Sequence, residues 1–161
     1  MTRTSRFLAG GALVLVAVLF QASAFAHHSF AMYDQNKTMT ITGVVKRYVP
    51  QANHAEFHLV LLNAERKGFE VGKDGKPMEW GVEMGGTTQM ERQGVTAATY
   101  PVGTVISVKV NPLRDGGAVG ARVGALARCP MDAATKKPKL PEAGKHCDSV
   151  PGATLSGGET F

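Results

Sequence analysis

The stretch Thr38-Met-Thr-Ile-Thr-Gly-Val-Val-Lys-Arg-Tyr-Val49 decides the fold. Met39, Ile41, Val45 and Val49 alternate with Thr38, Thr40 and Thr42, the period-2 pattern of a strand with one buried face. Gly43 is placed as a bulge within it. Working outward, His54 to Leu62 repeats the pattern with Ala55, Phe57, Leu59 and Leu61 on one side. After the Lys73-Asp-Gly-Lys76 turn, Met78, Trp80, Val82 and Met84 form the apolar side of a third strand, with Glu79 and Glu83 on the solvated side.

Thr88-Gln-Met-Glu91 has capping-box spacing, in which a hydroxyl and a carboxylate satisfy free N–H groups at a helix start. Gly94 suits the left-handed stop of that short helix. Thr104 to Val110, with Ile106, Val108 and Val110 inward, predicts a fourth strand. The Arg114-Asp-Gly-Gly117 turn then leads to a Gly/Ala-rich fifth, roughly Ala118 to Ala127. The turn contains the three letters of a cell-adhesion tripeptide, but Asp-Gly is ordinary hairpin chemistry and the turn reading is taken. Three strands, a short helix and two strands are the element order of a mainly β, five-stranded OB-like barrel with its helix between strands 3 and 4. A small sandwich shares the local pattern.

Upstream, Arg3 and Arg6 precede the uncharged apolar run Phe7 to Phe20, and Gln21-Ala-Ser-Ala-Phe-Ala26 offers small-x-small cleavage sites. That order predicts a secretory signal peptide over 1–26, cleaved after Ala24 or Ala26. The run is shorter than the ~20 residues that span a bilayer, so no membrane anchor is expected after cleavage. The domains expected are therefore the signal peptide, an N-terminal segment 27–37, the β domain 38–127 and a Pro/Lys/Gly-rich tail 128–161. Localisation is expected to be periplasmic or secreted.

Of the 18 lysines and arginines, Arg3 and Arg6 leave with the signal, so the remainder exceeds the 13 Asp and Glu by only three. This scattered excess is not the basic stripe of a nucleic-acid binder, and no nucleic-acid partner is expected. Cys129 and Cys147 are the only cysteines. Export makes a disulfide the favoured reading, closing the tail loop for ~3 kcal/mol of chain entropy. A thiolate metal pair beside His146 is the alternative. The tail is otherwise expected to be irregular.

Several stretches taken together resemble a family of short exported bacterial proteins of unknown function whose mature members start near His-His-Ser-Phe. They are His27-His-Ser-Phe-Ala-Met-Tyr-Asp34, Thr40-Ile-Thr-Gly-Val-Val-Lys46, Glu79-Trp-Gly-Val-Glu-Met84 and Asn111-Pro-Leu-Arg-Asp-Gly116, in order across the chain. Where such proteins show Asn-Pro-His with tryptophans nearby, this chain has Asn53-His54 without them, and Asn111 stands where a histidine is looked for. The resemblance implies a periplasmic small β domain and carries no established activity.

The histidines are the candidate chemistry. Four of five lie at 27, 28, 54 and 58. Cleavage after Ala26 makes His27 the first residue, able to bind copper through its α-amino group and imidazole, with one further imidazole completing a histidine brace. Neutral amine and imidazole nitrogens favour Cu(II) in tetragonal geometry. An α-amino pKa of ~7.7–8.0 lets copper displace the proton at neutral pH. His28, His54 and His58 are candidates for the second imidazole. His54 and His58 at i and i+4 on a strand are about 13 Å apart, too far to share one metal. The resemblance favours His54, since the corresponding segment also holds a histidine.

Cleavage after Ala24 would expose Phe25-Ala-His27, which also captures Cu(II) in a square plane of nitrogens. Met32, Met39, Met78, Met84 and Met90 could offer thioethers to Cu(I), but at strand spacing Met78 and Met84 beside Trp80 read as core filler. No hydrolase or phosphate-loop motif is present, so no enzyme is expected. The function expected is a periplasmic copper-holding carrier or accessory to a periplasmic protein partner. Its rival is a metal-free domain that binds a ligand or protein through a barrel face carrying Tyr48, Glu56 and His58.

Overall fold

The computed structural model describes residues 28–157. The chain divides into two units, Met1–Met32 and Tyr33–Phe161. Of the first, the described part is a single helical turn, α1 (His28–Ala31). The second holds β1 (Met39–Val49), β2 (Glu56–Leu61), β3 (Glu79–Glu83), α2 (Thr87–Arg92), β4 (Val105–Pro112), β5 (Val119–Arg128), a 3-10 turn (Cys147–Ser149) and β6 (Thr154–Ser156).

The strands run in the order β3-β2-β1-β4-β5. Their neighbours are antiparallel except β3 and β5, which pair in parallel through Gly81↔Val119, Val82↔Gly120 and Glu83↔Ala121 and close the sheet. A closed five-stranded barrel with a helix between strands 3 and 4 is the OB arrangement. Most of the alternating set expected from sequence lines its interior: Ala55, Phe57, Leu59, Leu61, Trp80, Val82, Met84, Ile106, Val108 and Val110 are buried, whereas Met39 is exposed and Val49 and Met78 are half-buried.

Helix α2 closes one end with Met90 and, just after it, Val95. Its stop is a Schellman motif. Gly94 adopts φ +74°, its N–H donates to Glu91 O, and Val95 N–H donates to Met90 O at 2.8 Å. The start differs from the capping box expected at Thr88-x-x-Glu91. The N-cap is Gly86, no side chain caps the helix, and Thr87 Oγ1 instead donates to Gln51 O at 2.8 Å. The start thus lies two residues earlier, at a position where close packing excludes a side chain, since a Cβ on Gly86 would lie 2.3 Å from Ala52 O.

Two further expectations on β1 are corrected. Gly43 sits in regular register with Leu61 and Ile106; the irregularity falls between Val45 and Arg47. What position 43 requires is absence of bulk, because a Cβ there would lie 2.8 Å from Val60 O. The extra residue at the bulge reverses the alternation that follows it. Tyr48 therefore turns against the core, 5.0 Å ring to ring from Phe57, and does not share the outer face with Glu56 and His58.

The tail carries the expected Cys129–Cys147 disulfide. It is also more ordered than its composition suggests. β6 pairs with β5 through Leu126, Ala127 and Arg128. Buried Arg122, 3% exposed, donates through Nη2 to Gly157 O at 2.7 Å. Leu62, Val105, Ala127 and the two cysteines form a second small core under the tail. Thr42 and Ser107, outward-facing by alternation, are buried there, 2.7 Å apart; Thr42 Oγ1 also lies 2.7 Å from His146 Nδ1, and Ser107 Oγ accepts from Cys147 N–H.

Candidate functional site

The outer face of β2 and β3 gathers the ionisable side chains. Alternation turns His54, Glu56 and His58 outward between buried Ala55, Phe57 and Leu59. The β2–β3 pairing sets Glu56 directly across from Glu83. Two carboxylates facing each other repel unless cations or donors intervene. Here each one is engaged by a different histidine.

Glu83 is the better enclosed of the two. Tyr33, 1% exposed, is fixed by a bridge to Leu113 and donates its hydroxyl to Glu83 Oε2 at 2.6 Å. Burial, this hydrogen bond and the charges of Glu83 and Glu56 raise the Tyr33 phenol well above its ordinary value, so it stays a donor. On the other oxygen, His54 Nδ1 stands 3.1 Å from Glu83 Oε1 and 3.3 Å from Met84 O. The ends of β2 and β3 are locked beneath this ring by Ala55 N–H to Gly85 O and Met84 N–H to Ala55 O. His54 is thus oriented through Nδ1.

His58 has different company. Its Nε2 lies 3.2 Å from Glu56 Oε2, and Arg47, its cross-strand partner on β1, places Nη2 3.1 Å from the same nitrogen. Next to it Lys46 pairs with Glu79, whose carboxyl is held below its usual value chiefly by that hydrogen bond. Glu79 and Glu83, read together as one solvated face, therefore divide: one is a surface ion pair, the other the centre of a half-buried network.

Of the candidate ligands, His27 lies outside the described residues, and His28 is described only as backbone within α1. His54 and His58 are not brought together; they serve separate carboxylates. Among the described residues no three His, Cys, Asp or Glu side chains converge as a metal site. Cys129 and Cys147 are joined to each other. Tyr33 and Glu83 were not singled out from sequence. The only available signal was the tyrosine shortly after the His-His pair, and nothing local ties it to residue 83.

A model described as a family of unknown function, DUF6152, matches residues 14–122. The chain belongs to this family. The DUF6152 match takes in Tyr33, His54 and Glu83 and stops before the disulfide-tied tail. No curated protein matches. Among solved structures, the mitochondrial single-stranded DNA-binding protein Rim1 of S. cerevisiae is 10% identical, with a TM-score of 0.36 over 53% of this chain and 86% of that one. A likeness so slight bears on neither mechanism nor ligand. Among the described residues no helix is long and apolar enough to cross a membrane.

Proposed function

We propose that this DUF6152 chain is an exported periplasmic binding protein that holds copper through His27, as its mature N-terminus, and His54, serving as a carrier or as accessory to a periplasmic protein partner. The observation that carries the reading is the Tyr33–Glu83–His54 arrangement. A backbone carbonyl or carboxylate on one imidazole nitrogen, here Met84 O hydrogen-bonded and Glu83 Oε1 3.1 Å away, orients the ring and raises the basicity of the other nitrogen, as in the outer shells of metal-ligating histidines. His58 is the poorer choice, because the Arg47 guanidinium beside its Nε2 opposes an incoming cation.

The terminal amine and imidazole together with the His54 imidazole give three borderline-soft nitrogens, a set suited to Cu(II).

The test is a native mass spectrum of protein taken from the periplasm of an expressing bacterium, which reports the processing site and bound metal together. A chain beginning at His27 with one copper is expected. Loss of copper on His27→Ala, on His54→Ala or on adding one residue before His27, with His58→Ala still loaded, completes the expectation. A metal-free chain that also ignores added copper would sink the reading and leave the metal-free binding domain in its place.

A further inference from the structure

Away from the β2–β3 face, the tail and the loop before β4 enclose a concavity of about 660 Å³. Its apolar lining includes Pro101, Val102, Met131 and Pro138, and its charged lining is Arg128 and Lys136, with no carboxylate among the lining residues. Val102 and Met131 are 73% and 58% exposed, among the most exposed large apolar side chains described. Neither contributes to the core.

Val102 is held out on a turn, and Met131 at the closed base of a small loop. The Val102 turn is tied by Gly103 N–H to Val45 O at 2.9 Å and by Thr104 N–H to Pro101 O at 3.0 Å. Met131 opens a small loop closed by a bridge to Pro138 and by Asp132 N–H to Lys137 O at 2.8 Å. Lys136 occupies that loop at φ +56°, a left-handed conformation that disfavours lysine and would suit glycine or asparagine. Asp132, the nearest acid in sequence, is already engaged, by Ala134 and Thr135 through Oδ1 and by Lys139 through Oδ2. The charge left at the surface is therefore positive.

We infer that this face is a peripheral docking surface for an anionic lipid bilayer. Exposed Val102 on its turn and exposed Met131 at the base of the neighbouring loop, flanked by Lys136 and by an Arg128 held to Thr99 O and over the Tyr100 ring, suit a soft surface whose anionic headgroups meet the two cations. The inference is independent of the copper reading, since no residue is shared.

Flotation of the full mature chain with vesicles tests it, comparing phosphatidylcholine alone with an equal mixture of phosphatidylcholine and phosphatidylglycerol. Partition onto the anionic vesicles alone is expected, with release in 0.5 M salt as charges are screened. Lys136→Gln should weaken it about five-fold, the effect of one cation near such a surface. Val102→Asp and Met131→Asp should each weaken it about ten-fold or more, with far-UV circular dichroism confirming that the exposed-turn variants stay folded. Equal absence from both vesicle types, or undiminished binding by both aspartate variants, overturns the inference. So does a result in which vesicles are ignored while an acidic apolar peptide shifts the Val102 and Met131 methyl resonances, since the surface would then belong to a protein partner.

Discussion

Reducing the Cys129–Cys147 bond should lower stability by about 3 kcal/mol. The two cysteines are separated by 18 positions. Opening a loop of that size restores to the unfolded chain roughly 2.1 plus 1.5R ln n cal/mol/K, which at 25 °C comes to about 3 kcal/mol. Reduction removes no side chain, so the packing of Cys147 against Leu62, Val105 and Ala127 is largely kept. The tail also keeps Cys147 N–H to Ser107, the Arg66 bonds to Lys145 O, and the β5–β6 ladder. The loss is therefore bounded by the loop term. With a slope of about 1–3 kcal/mol per molar urea, the unfolding midpoint should fall by about 1–3 M. The assay is urea unfolding followed by Trp80 fluorescence, with and without reductant, and with Cys129→Ala/Cys147→Ala as a check. Amide exchange should quicken first at Leu126–Arg128, where β6 is paired. A midpoint that moves by less than about 0.3 M would refute the reasoning and assign closure of the tail to its hydrogen bonds alone.

Acidification should act at the same junction through His146. Burial first and the nearby Arg66 charge second lower its pKa from 6.5, against a smaller opposing pull from Asp148, while Thr42 and Arg66 both face Nδ1. The unfolded chain therefore takes up a proton first, so the stabilisation is complete above about pH 6.5 and is lost as pH falls through the lower folded-state value. Melting curves should show wild type losing more than His146→Gln between pH 7.5 and 5, and parallel curves would dismiss the idea. Gly43→Ala should cost about 1–3 kcal/mol, because the new methyl meets Val60 O at 2.8 Å and Leu59 Cβ at 3.1 Å on a strand paired on both sides. A thermal melt within a degree of wild type would show that β1 yields more easily than this packing implies.

The inward face of the barrel was legible because a half-buried strand writes its environment into every second residue. Phe57 and Leu59 needed only their neighbours to be placed. Tyr48 was not, because one bulged residue after Val45 exchanges inside for outside, and nothing local in Lys46-Arg-Tyr marks the bulge. The helix start was missed for a related reason. Thr88-x-x-Glu91 is a sound local signal, but the chain entering the helix runs against Ala52 O, a contact made by a distant loop. Thr42 and Ser107 read as solvent-facing until a tail some 40 to 104 residues away covers them.

The site shows the same limit and what lifts it. His54, Glu83 and Tyr33 come from three segments, the links that join them spanning 29 (83 − 54) and 50 positions, so no spacing rule connects them. From spacing alone, His54 and His58 were equivalent imidazoles on one strand face, as Glu79 and Glu83 were equivalent carboxylates on the next. Pairing breaks both equivalences. The register that sets Arg47 opposite His58 puts a fixed cation on one imidazole. The end of β3 puts the other beside a carboxylate already held by a buried tyrosine. One ring thus has a fixed cation beside it and the other a carboxylate, so if the proposed copper set is built on His54 it should survive His58→Ala and fail with His54→Ala.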